Sequence, residues 1–556
     1  MLTAKMNYMK KLLLTLLFIP GLIKLYAQEI TPSPEFRYPE YTAEEAMKVE
    51  NIPDLRLSKS LKSLPAYVDN STLKYFPPVF NQRGNSCSQA SGISYIFTYE
   101  MNGVRDLAAS VNDRIYSYHY TWNFLNGGDE NMGSWYYDGF ELVMENGVPS
   151  RTDMNDEEVS AQTWMDGYEK YYRAMHNQIE GYYKILATAE NGLEKMKQYL
   201  IDHGDGSGYG GLINFTAKTS NMTGSQYFGP KDTGLSFIIK KWGDGGDHAM
   251  TIVGYDDKVE CDVDENGSID EDEKGAFLCV NSWGTGWGDK GKFYMPYKLL
   301  YLGEWNGGIG NGDKYVYTLR AMDYQPELTF KVKLEYSSRN DLRFRLGVSD
   351  NATDENPKYI KTLKIFDQQG GDYYMRGGST SSDKTIEIGL DASSLLKYVP
   401  DKENAAYFFT VLKGDQGESG SGKVLSFSVL DYRENVNYPD EIRSLQENVP
   451  IESQTVIKAS KLSTGVDDFY EDIVEELKIY PNPVTEKAVI DFNLIQKENI
   501  KVYILDAKGR MVETLLQQKN VSGLQRIVWY PNCPKGFYLV CLQTDQFVLS
   551  KKIIVQ

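Results

Sequence analysis

The sequence predicts a multidomain protein in which an α+β domain is followed by two all-β, sandwich-like domains. Three observations lead to this expectation. The chain has 556 residues, more than a single hydrophobic core normally organises. Residues 64–322 mix helical and strand patterns, whereas apolar and polar residues alternate from Pro326 onward, as in half-buried strands. The C-terminal region again contains short strand patterns separated by turn residues.

The first 27 residues have the pattern of a secretory signal peptide. Two lysines precede an apolar run at 12–19, and the small residue Ala27 marks the expected cleavage point. A membrane anchor is the alternative, but Pro20 and Lys24 interrupt the run, which is short for a span. We therefore expect export through the periplasm to the cell surface or the medium.

The segments around the α+β domain are assigned from composition and strand period. Residues 28–63 are polar and rich in Lys and Glu, so we expect a short propeptide or a linker. Residues 326–450 predict a β-sandwich of unknown role, with strands separated by Gly, Ser and Asp clusters. Residues 451–476 are polar and acidic without a period, as in a linker. Residues 477–556 predict a small β-sandwich.

The charge balance excludes one class of partner. Lys and Arg number 59 against 77 Asp and Glu, which gives a net charge of −18. A chain this acidic repels phosphate backbones and anionic membrane surfaces, so we expect no nucleic-acid partner. After the signal peptide, no apolar stretch is long enough to span a bilayer.

The five cysteines leave at least one thiol unpaired in an exported chain. One arrangement pairs Cys261 with Cys279 and Cys533 with Cys541, which leaves Cys87; free buried thiols are the alternative. Cys87 lies in "NQRGNSCSQASG", among small and polar residues rather than Val, Leu or Ile. This setting is typical of a reactive thiol.

A helical pattern follows Cys87 directly. Ile93, Phe97 and Met101 recur at helical spacing, which places Cys87 in the first turn, where the helix dipole favours an anion. A thiol with its usual pKa of about 8.5 attacks a carbonyl only as the thiolate. A catalytic cysteine therefore also needs a basic or cationic neighbour.

Histidine is the residue type that can act as this base, and the chain has 4. His119, His176 and His203 lie in segments typical of helix surfaces, cores or loops. The segment "GGDHAMTIVGYDD" instead places His248 at the start of a strand whose apolar residues anchor it. We therefore expect His248 to be the base.

The base must be oriented, and the reaction needs an oxyanion donor. The segment "AFLCVNSWGTGWG" supplies Asn281 after an apolar strand, and Trp283 to shield its hydrogen bond from water. Gln82, five residues before Cys87, is the candidate that donates its amide to the oxyanion, together with the backbone N–H of Cys87.

The order Gln82, Cys87, His248 and Asn281 resembles that of the papain-like cysteine peptidases. The segments "DHAM" around His248 and "NSWGTGWG" around Asn281 are part of this resemblance. The resemblance covers residues 64 to about 320, where "LPAYVDNS" resembles the start of the mature enzyme. It implies a helical lobe and a β-barrel-like lobe with a cleft between them. The roles that it implies are nucleophile for Cys87, base and acid for His248, orienter for Asn281 and oxyanion donor for Gln82.

The sequence departs from this family around the cysteine. Gly84 stands where the family has a second cysteine, Ser88 stands where it has an aromatic residue, and the interval from glutamine to cysteine is one residue shorter. The segment "YYDGFELVMENGVPS" resembles the helix that lines the second specificity subsite. The resemblance thus implies that Gly133, Ser134 and Trp283 line the bound peptide.

A second constellation lies between the base and its orienter. The segment "DVDENGSIDEDE", residues 262–273, follows the ligand order of an EF-hand loop, with Gly267 at the sharp turn. The ligands would be Asp262, Asp264, Asn266, Ser268, Asp270 and Glu273. Because the flanks predict strands, we expect a structural Ca²⁺ loop on a β-hairpin, against a solvated acidic hairpin tip as the alternative. We expect no cofactor for catalysis.

The C-terminal region, with "YPNP", "KVYILDAKGRMV", "KGFYLVCL" and the terminal "SKKIIVQ", resembles the C-terminal sorting domain of type IX secretion substrates. The resemblance implies that the type IX secretion machinery is a partner. A carbohydrate- or protein-binding β module is the alternative.

Taken together, these features predict a secreted papain-like cysteine endopeptidase, made as a zymogen, that hydrolyses proteins or peptides through a Cys-His-Asn triad and a thioacyl-enzyme. A catalytically inert peptidase-like surface or binding protein is one alternative, and transglutaminase-like or amidase chemistry is another. Whether residues 28–63 inhibit the precursor stays open, because they lack the long helical pattern of the family's usual prosegment.

Overall fold

The computed structural model describes residues 37–57, 63–203, 207–303, 306–309, 314–414, 420–461, 474–545 and 548–556. These residues fall into two compact units. Unit 1 lies within Met1–Val348, Asn356–Val399 and Tyr407–Ala459, and unit 2 lies within Ser349–Glu355, Pro400–Ala406 and Ser460–Gln556. The predicted signal peptide, residues 1–27, lies outside the described residues, as do 28–36 and 462–473 of the predicted linkers.

The longer helices of the described residues belong to unit 1. They are α1 Ala43–Asn51, α2 over 87–105, α3 Tyr118–Leu125, α4 Tyr136–Asn146, α5 Tyr168–Met175, α6 Gly192–Ile201 and α7 Lys298–Tyr301. The predicted helix after Cys87 is confirmed as α2, which is α-helical at both ends and π-helical over Ala90–Phe97. Gly147 ends α4 with a φ of 71°, a conformation that glycine adopts without strain.

One large sheet forms the second half of the α+β region. Its strands are β1 Tyr67–Asp69, β2 Asn177–Leu186, β3 Ile213–Ser220, β4 Thr223–Gln226, β5 Phe237–Lys241, β6 Gly245–Glu260, β7 Lys274–Val280, β8 Lys292–Pro296 and β9 Tyr315–Asp323. The order is β2-β9-β3-β6-β7-β8-β5-β4, with β1 also paired to β6. Strand β6 is apolar and buried over most of its length because it lies inside this sheet.

The region from 326 to 460 contains two sheets, as the alternating pattern predicts. Its strands are β10 Leu328–Tyr336, β11 Leu342–Ser349, β12 Tyr359–Asp367, β13 Thr385–Asp391, β14 Ala406–Lys413, β15 Gly422–Asp431, β16 Asp440–Arg443, β17 Val449–Pro450 and β18 Gln454–Ser460. The orders are β13-β10-β15-β16, with β17 on β15, and β12-β11-β14-β18. Strand β18 lies in the predicted linker, where Ile457 and Ala459 are buried.

The C-terminal strands of unit 2 form an antiparallel sheet. They are β19 Val474–Tyr480, β20 Ala488–Asp506, β21 Met511–Trp529, β22 Gly536–Gln543 and β23 Val548–Val555, in the order β19-β20-β22-β23 with β21 paired to β20. At the turn after β20, Asp506 Oδ1 accepts the backbone N–H groups of Lys508 and Arg510 at 2.9 Å. Asp at this position therefore satisfies donors that the turn would otherwise expose.

The cysteine pairing considered above is wrong, and the alternative of free thiols is confirmed, because all five cysteines are free. Cys279 is fully buried in β7, opposite Ile252 of β6. In unit 2, the thiols of Cys533 and Cys541 each lie against a tyrosine hydroxyl, of Tyr538 and Tyr503 respectively. These three thiols thus lie against residues other than a second cysteine.

Among the described residues, the structure contains no helix that combines the length and the apolar character needed to cross a bilayer.

The free cysteines give a direct chemical prediction. The purified chain, denatured in guanidinium without reductant, is expected to react with five equivalents of Ellman's reagent, because the structure forms no bridge between its cysteines. A prior reduction step serves as the control and is expected to leave the count unchanged. Three equivalents or one without reductant would show that one or two disulfides exist.

Candidate active site

Cys87 is the first residue of α2 and is only 6 % exposed. The loop before it is fixed by the Asn85 N–H, which donates to Glu130 O at 2.8 Å. Gly84 has a φ of 59°, and a Cβ there would lie 2.5 Å from Glu130 O. The glycine at this position is thus required by the path of the loop.

The thiol lies against the strand that carries His248. Its neighbours include the backbone N–H groups of Ser88 and of Ala249, the residue directly after His248. Burial raises the pKa of Cys87 to about 11, the nearby charge of Asp247 acts in the same direction, and the backbone N–H groups oppose the rise. The thiol is therefore neutral at neutral pH in this state of the chain.

His248 lies in β6 and is bonded to Asn281, directly after β7. The distance between His248 Nε2 and Asn281 Oδ1 is 2.7 Å, and both side chains are buried. Because an amide oxygen only accepts, this bond places a proton on Nε2 and leaves Nδ1 as the acceptor of the neutral ring. Trp283 stacks on the imidazole with ring centroids 4.4 Å apart. The indole thus covers the hydrogen bond, as the sequence predicts.

Burial also sets the protonation of the histidine. It lowers the pKa of His248 to about 4, and the hydrogen bond to Asn281 opposes this shift. The backbone of Asn281 is itself fixed: its N–H donates to Gly291 O at 2.9 Å, and its carbonyl accepts from Tyr95 OH at 3.1 Å. The backbone that carries the orienting side chain of Asn281 is therefore held in place.

Gln82 lies on a short paired segment beside Asn281. Its backbone N–H donates to Ser282 O at 2.7 Å, and its side-chain Oε1 accepts from Ser282 Oγ at 2.5 Å. Its Nε2 donates to Gly84 O at 3.0 Å, which uses one of the two amide hydrogens. The pairing orients the amide of Gln82 relative to the loop that carries Asn281 and Trp283.

Two of the three predicted subsite residues, Gly133 and Ser134, lie beside α2, whereas Trp283 lies on the ring of His248. Ser134 Oγ is 2.9 Å from Ser88 Oγ and accepts from Gln89 Nε2 at 3.1 Å. Gly133 packs against Asn85, whose Nδ2 would lie 3.1 Å from a Cβ at that position. The structure thus brings Gly133 and Ser134 next to the start of the helix that carries Cys87.

Residues 37–41 lie along this subsite. The Arg37 N–H donates to Asn131 O at 2.8 Å, and Arg37 O accepts from the Gly133 N–H at 2.8 Å. Tyr38 contacts the position where a Gly133 Cβ would lie, and burial and the nearby Cys87 raise the pKa of its hydroxyl. The N-terminal segment therefore makes main-chain bonds where a bound peptide is expected.

Helix α1 continues this segment and is anchored by charged groups. Lys48 forms an ion pair with Asp138 of α4, and Glu45 Oε2 accepts from Tyr137 OH at 2.8 Å. Burial raises the pKa of Asp138 to about 6, and Lys48 opposes the rise. Further along, Lys184 Nζ donates to Val49 O at 2.9 Å. Residues 43–51 of the predicted propeptide or linker thus form a docked helix.

Sequence reasoning missed several of these contacts. Tyr38, Asp247 and Ala249 all lie near the thiol. Asp247 and Ala249 flank His248 in the sequence, so adjacency alone was a usable signal. Tyr38 carried no signal, because its position depends on how the N-terminal segment folds back.

The other three histidines have partners of their own. These are Asn123 Oδ1 at 3.1 Å for His119, Tyr172 O at 2.9 Å for His176, and Glu100 Oε1 at 2.9 Å for His203.

The acidic loop brings three of its six predicted ligands together. Carboxylate oxygens of Asp262, Asp264 and Glu273 lie within 4.8 Å of one another. Glu273 is buried and accepts the Val263 N–H at 2.8 Å, and Lys298 Nζ lies 3.1 Å from its Oε1. The carboxylate cluster thus already has one cationic partner, the ammonium group of Lys298.

The other three predicted ligands bond within the loop. Asn266 Oδ1 accepts the Ser268 N–H at 2.8 Å, and Asp270 Oδ2 accepts from Asn266 Nδ2 at 3.4 Å. The predicted strands on both sides of the loop are confirmed as β6 and β7.

Comparison with known protein families identifies the C-terminal domain of the chain. Residues 478–556 match the family model described as a secretion system C-terminal sorting domain, so the predicted sorting domain is confirmed. It indicates export to the cell surface or the medium. No curated protein matches the chain.

Solved structures of cysteine proteases resemble about half of the chain. Xylellain, a cysteine protease from Xylella fastidiosa, is 18 % identical and has a TM-score of 0.35, with 51 % of this chain and 96 % of that chain covered. Digestive procathepsin L 3 of Tenebrio molitor is 18 % identical (TM-score 0.32; 50 % and 78 % covered). A recombinant stem bromelain precursor is 15 % identical (TM-score 0.32; 49 % and 78 % covered).

The burial of the thiol and the imidazole predicts an unusual pH profile for the intact chain. With pKa values of about 11 for Cys87 and about 4 for His248, both groups are neutral between pH 5 and pH 9. The rate of Cys87 alkylation by iodoacetamide, followed by peptide mass spectrometry, is expected to rise about tenfold per pH unit up to about pH 10. N-acetylcysteine is the reference thiol. A rate plateau between pH 5 and pH 8 would show instead that a thiolate already exists.

Proposed function

We propose that the chain is the precursor of a secreted, papain-like cysteine endopeptidase. The observation that carries this proposal is the buried His248–Asn281 hydrogen bond, covered by Trp283, on a strand that packs against the thiol of Cys87 at a helix N-terminus. A nucleophile, a base and an orienter within one site are the parts that acyl transfer requires.

Each of these groups has a defined role in the proposed reaction. Cys87 Sγ attacks the peptide carbonyl carbon while His248 takes the thiol proton, and the oxyanion accepts hydrogen bonds from Gln82 Nε2 and the Cys87 N–H. The C–N bond breaks as His248 gives its proton to the leaving amine, which leaves a thioester. Water, deprotonated by His248, then attacks the thioester and releases the acid and the thiol.

The proposal includes synthesis as a zymogen. Residues 37–41 run along Gly133, and Tyr38 lies beside Cys87, so a peptide cannot use the same main-chain bonds until this segment leaves. Its departure also admits water to the thiol, which removes part of the desolvation that raises the Cys87 pKa. A signal peptide at 1–27 and the type IX sorting domain would export the precursor through the periplasm.

The alternatives make different products. An inert surface or binding protein hydrolyses nothing, while transglutaminase-like or amidase chemistry releases ammonia rather than new peptide termini. Analysis of casein digests for fragments and for ammonia therefore separates all three.

Variants of the triad test the proposal. Cys87→Ala is expected to abolish casein hydrolysis, because no other group supplies the nucleophile, and His248→Ala is expected to lower kcat/KM by about a thousandfold or more. Lys48→Ala removes the ion pair with Asp138 and is expected to raise the activity of the precursor several-fold. Lys258→Ala, which removes an exposed pair with Asp232, is the matched control. Hydrolysis that persists in Cys87→Ala would refute the proposed nucleophile.

We further propose that the loop 262–273 binds a structural Ca²⁺ ion. The cluster of Asp262, Asp264 and Glu273 supports this, since hard oxygen ligands suit Ca²⁺. The ion would stiffen the hairpin that leads from β6 to β7 and so to Asn281. Lys298 is its competitor, because its ammonium already lies 3.1 Å from Glu273.

Calcium binding is tested by thermal unfolding. Millimolar CaCl₂ is expected to raise the Tm by a few degrees, because a ligand at about a hundred times its Kd stabilises the folded state by about 2.7 kcal/mol. Asp264→Asn is expected to reduce this shift, whereas Lys298→Met is expected to enlarge it, because the competing cation is gone. MgCl₂ is the control salt. If Lys298 is the only cation of the cluster, CaCl₂ leaves the Tm unchanged and Lys298→Met only lowers it.

A further inference from the structure

The β-sandwich of strands β10–β18 shares an extensive interface with the helices of unit 1. Phe366 of β12 packs edge-on against Phe124 and Trp164, at centroid distances of 5.0 and 5.2 Å. The buried Tyr168 OH lies 2.6 Å from Thr329 Oγ1 and 2.7 Å from Tyr432 OH. Such buried aromatic and polar contacts indicate a fixed arrangement rather than a flexible tether.

The end of α4 is held by backbone groups of the sandwich. Glu145 accepts the N–H groups of Lys364 and Ile365 at 2.8 and 2.9 Å. The next residue, Asn146, donates to Gly389 O at 3.0 Å and accepts the Asp391 N–H at 2.8 Å. One helix end thus satisfies donors and acceptors in both sheets, because Lys364 and Ile365 belong to β12 whereas Gly389 and Asp391 belong to β13.

A buried arginine lies where the sandwich meets residues 126–134, here named the cleft loop. Arg339 is 1 % exposed and stacks on Trp164, with its guanidinium carbon 4.2 Å from the ring centroid. Its Nε donates to Gly370 O at 3.0 Å, and its Nη1 donates to Gln162 O at 2.7 Å. Arg339 therefore joins the sandwich residues 368–377, named the support loop, to the helical region.

The support loop touches the cleft loop closely. A Cβ on Gly371 would lie 2.1 Å from Gly127 O, and a Cβ on Gly128 would lie 2.3 Å from the ring of Tyr373. Gln162 links the two as well, since its Nε2 donates to Gly128 O at 2.6 Å. This contact leaves no space for the cleft loop to shift toward the sandwich.

The other side of the cleft loop contacts the backbone that precedes Cys87 in the candidate site. Glu130 O accepts the Asn85 N–H at 2.8 Å, and Met132 O accepts from Trp122 Nε1 at 2.9 Å. Gly133 and Ser134 end the loop, at the predicted subsite. The contacts thus run without a gap from Arg339, through Gln162 and Gly128, to the backbone before Cys87.

We propose that the sandwich is an integral part of the substrate cleft, with Arg339 as a positioning residue that fixes the cleft loop and thereby the affinity for peptide. This inference rests on the proposed peptidase function for its effect on affinity. Its structural part, the restraint of the cleft loop, can be measured without any activity.

The test compares full-length wild type with Arg339→Met, which keeps the stem but removes the donors. Hydrogen exchange in peptides covering 84–86 and 126–134 is expected to become about tenfold faster, while β6 is unchanged. KM for a peptide substrate of the activated enzyme is expected to rise at least about fivefold. The rate of Cys87 alkylation by iodoacetamide, which needs no subsite, is expected to stay within about twofold. Arg443→Met, which breaks an exposed ion pair with Glu441 on β16 of the sandwich, is the control for loss of an arginine away from the cleft loop.

Unchanged exchange in the cleft loop of a folded Arg339→Met variant would overturn the proposal, as would an equal effect of Arg443→Met. If wild type hydrolyses no peptide, the proposed function fails, and the exchange comparison still decides the role of Arg339. If Arg339→Met does not fold, Gln162→Ala removes the side-chain bond to Gly128 while the buried Arg339 keeps its bonds to backbone carbonyls. The same faster exchange in that variant supports the proposal, and unchanged exchange refutes it.

Discussion

The candidate site depends on one hydrogen bond, between His248 Nε2 and Asn281 Oδ1, that must form away from water. The two residues are 33 apart in the chain, yet the pairing of β6 with β7 brings them together. In the register of that pair, Thr251 lies opposite Val280. His248 precedes the part of β6 that pairs with β7, and Asn281 follows the last residue of β7. Both side chains therefore lie at the same end of this strand pair. Trp283 stacks on the imidazole of His248 and covers this hydrogen bond.

Burial keeps the thiol and the imidazole of this site neutral in the state described. The desolvation that raises the thiol pKa and lowers the imidazole pKa favours the neutral form of both groups. Peptide hydrolysis needs the opposite charge distribution, with the proton moved from sulfur to nitrogen. Under the proposed function, the docked N-terminal segment would therefore act on the chemistry through solvent exclusion as well as through steric occlusion of the subsite. Both effects would end once Tyr38 and the backbone of Arg37 left.

The sandwich restricts the movement of the loop that would line the proposed substrate cleft. A cleft between two lobes has one wall that is free to move, because the loops that form it face solvent. Here the cleft loop is contacted on one side by the backbone before Cys87 and on the other by the support loop. Arg339, surrounded by carbonyl oxygens and aromatic rings, donates to Gly370 of the support loop and to the carbonyl of Gln162, whose side chain donates to Gly128 of the cleft loop. A buried charge with this many fixed partners cannot move without losing several bonds at once.

The sequence alone determined the local features: the helix after Cys87, the strand of His248, the turn after Asn281, the alternating strands from Leu328 and the sorting domain. These follow from periodicity and from motifs whose residues are neighbours in the chain, so short-range physics is sufficient. Only the tertiary structure decided that Tyr38 lies beside the thiol and that Gly84 must be glycine, because the carbonyl oxygen of Glu130 lies close to it. It alone also decided that the cysteines stay unpaired and that the sandwich contacts the cleft loop. Each of these is a contact between segments far apart in sequence. Such contacts are selected by how whole surfaces pack, and no local pattern encodes them.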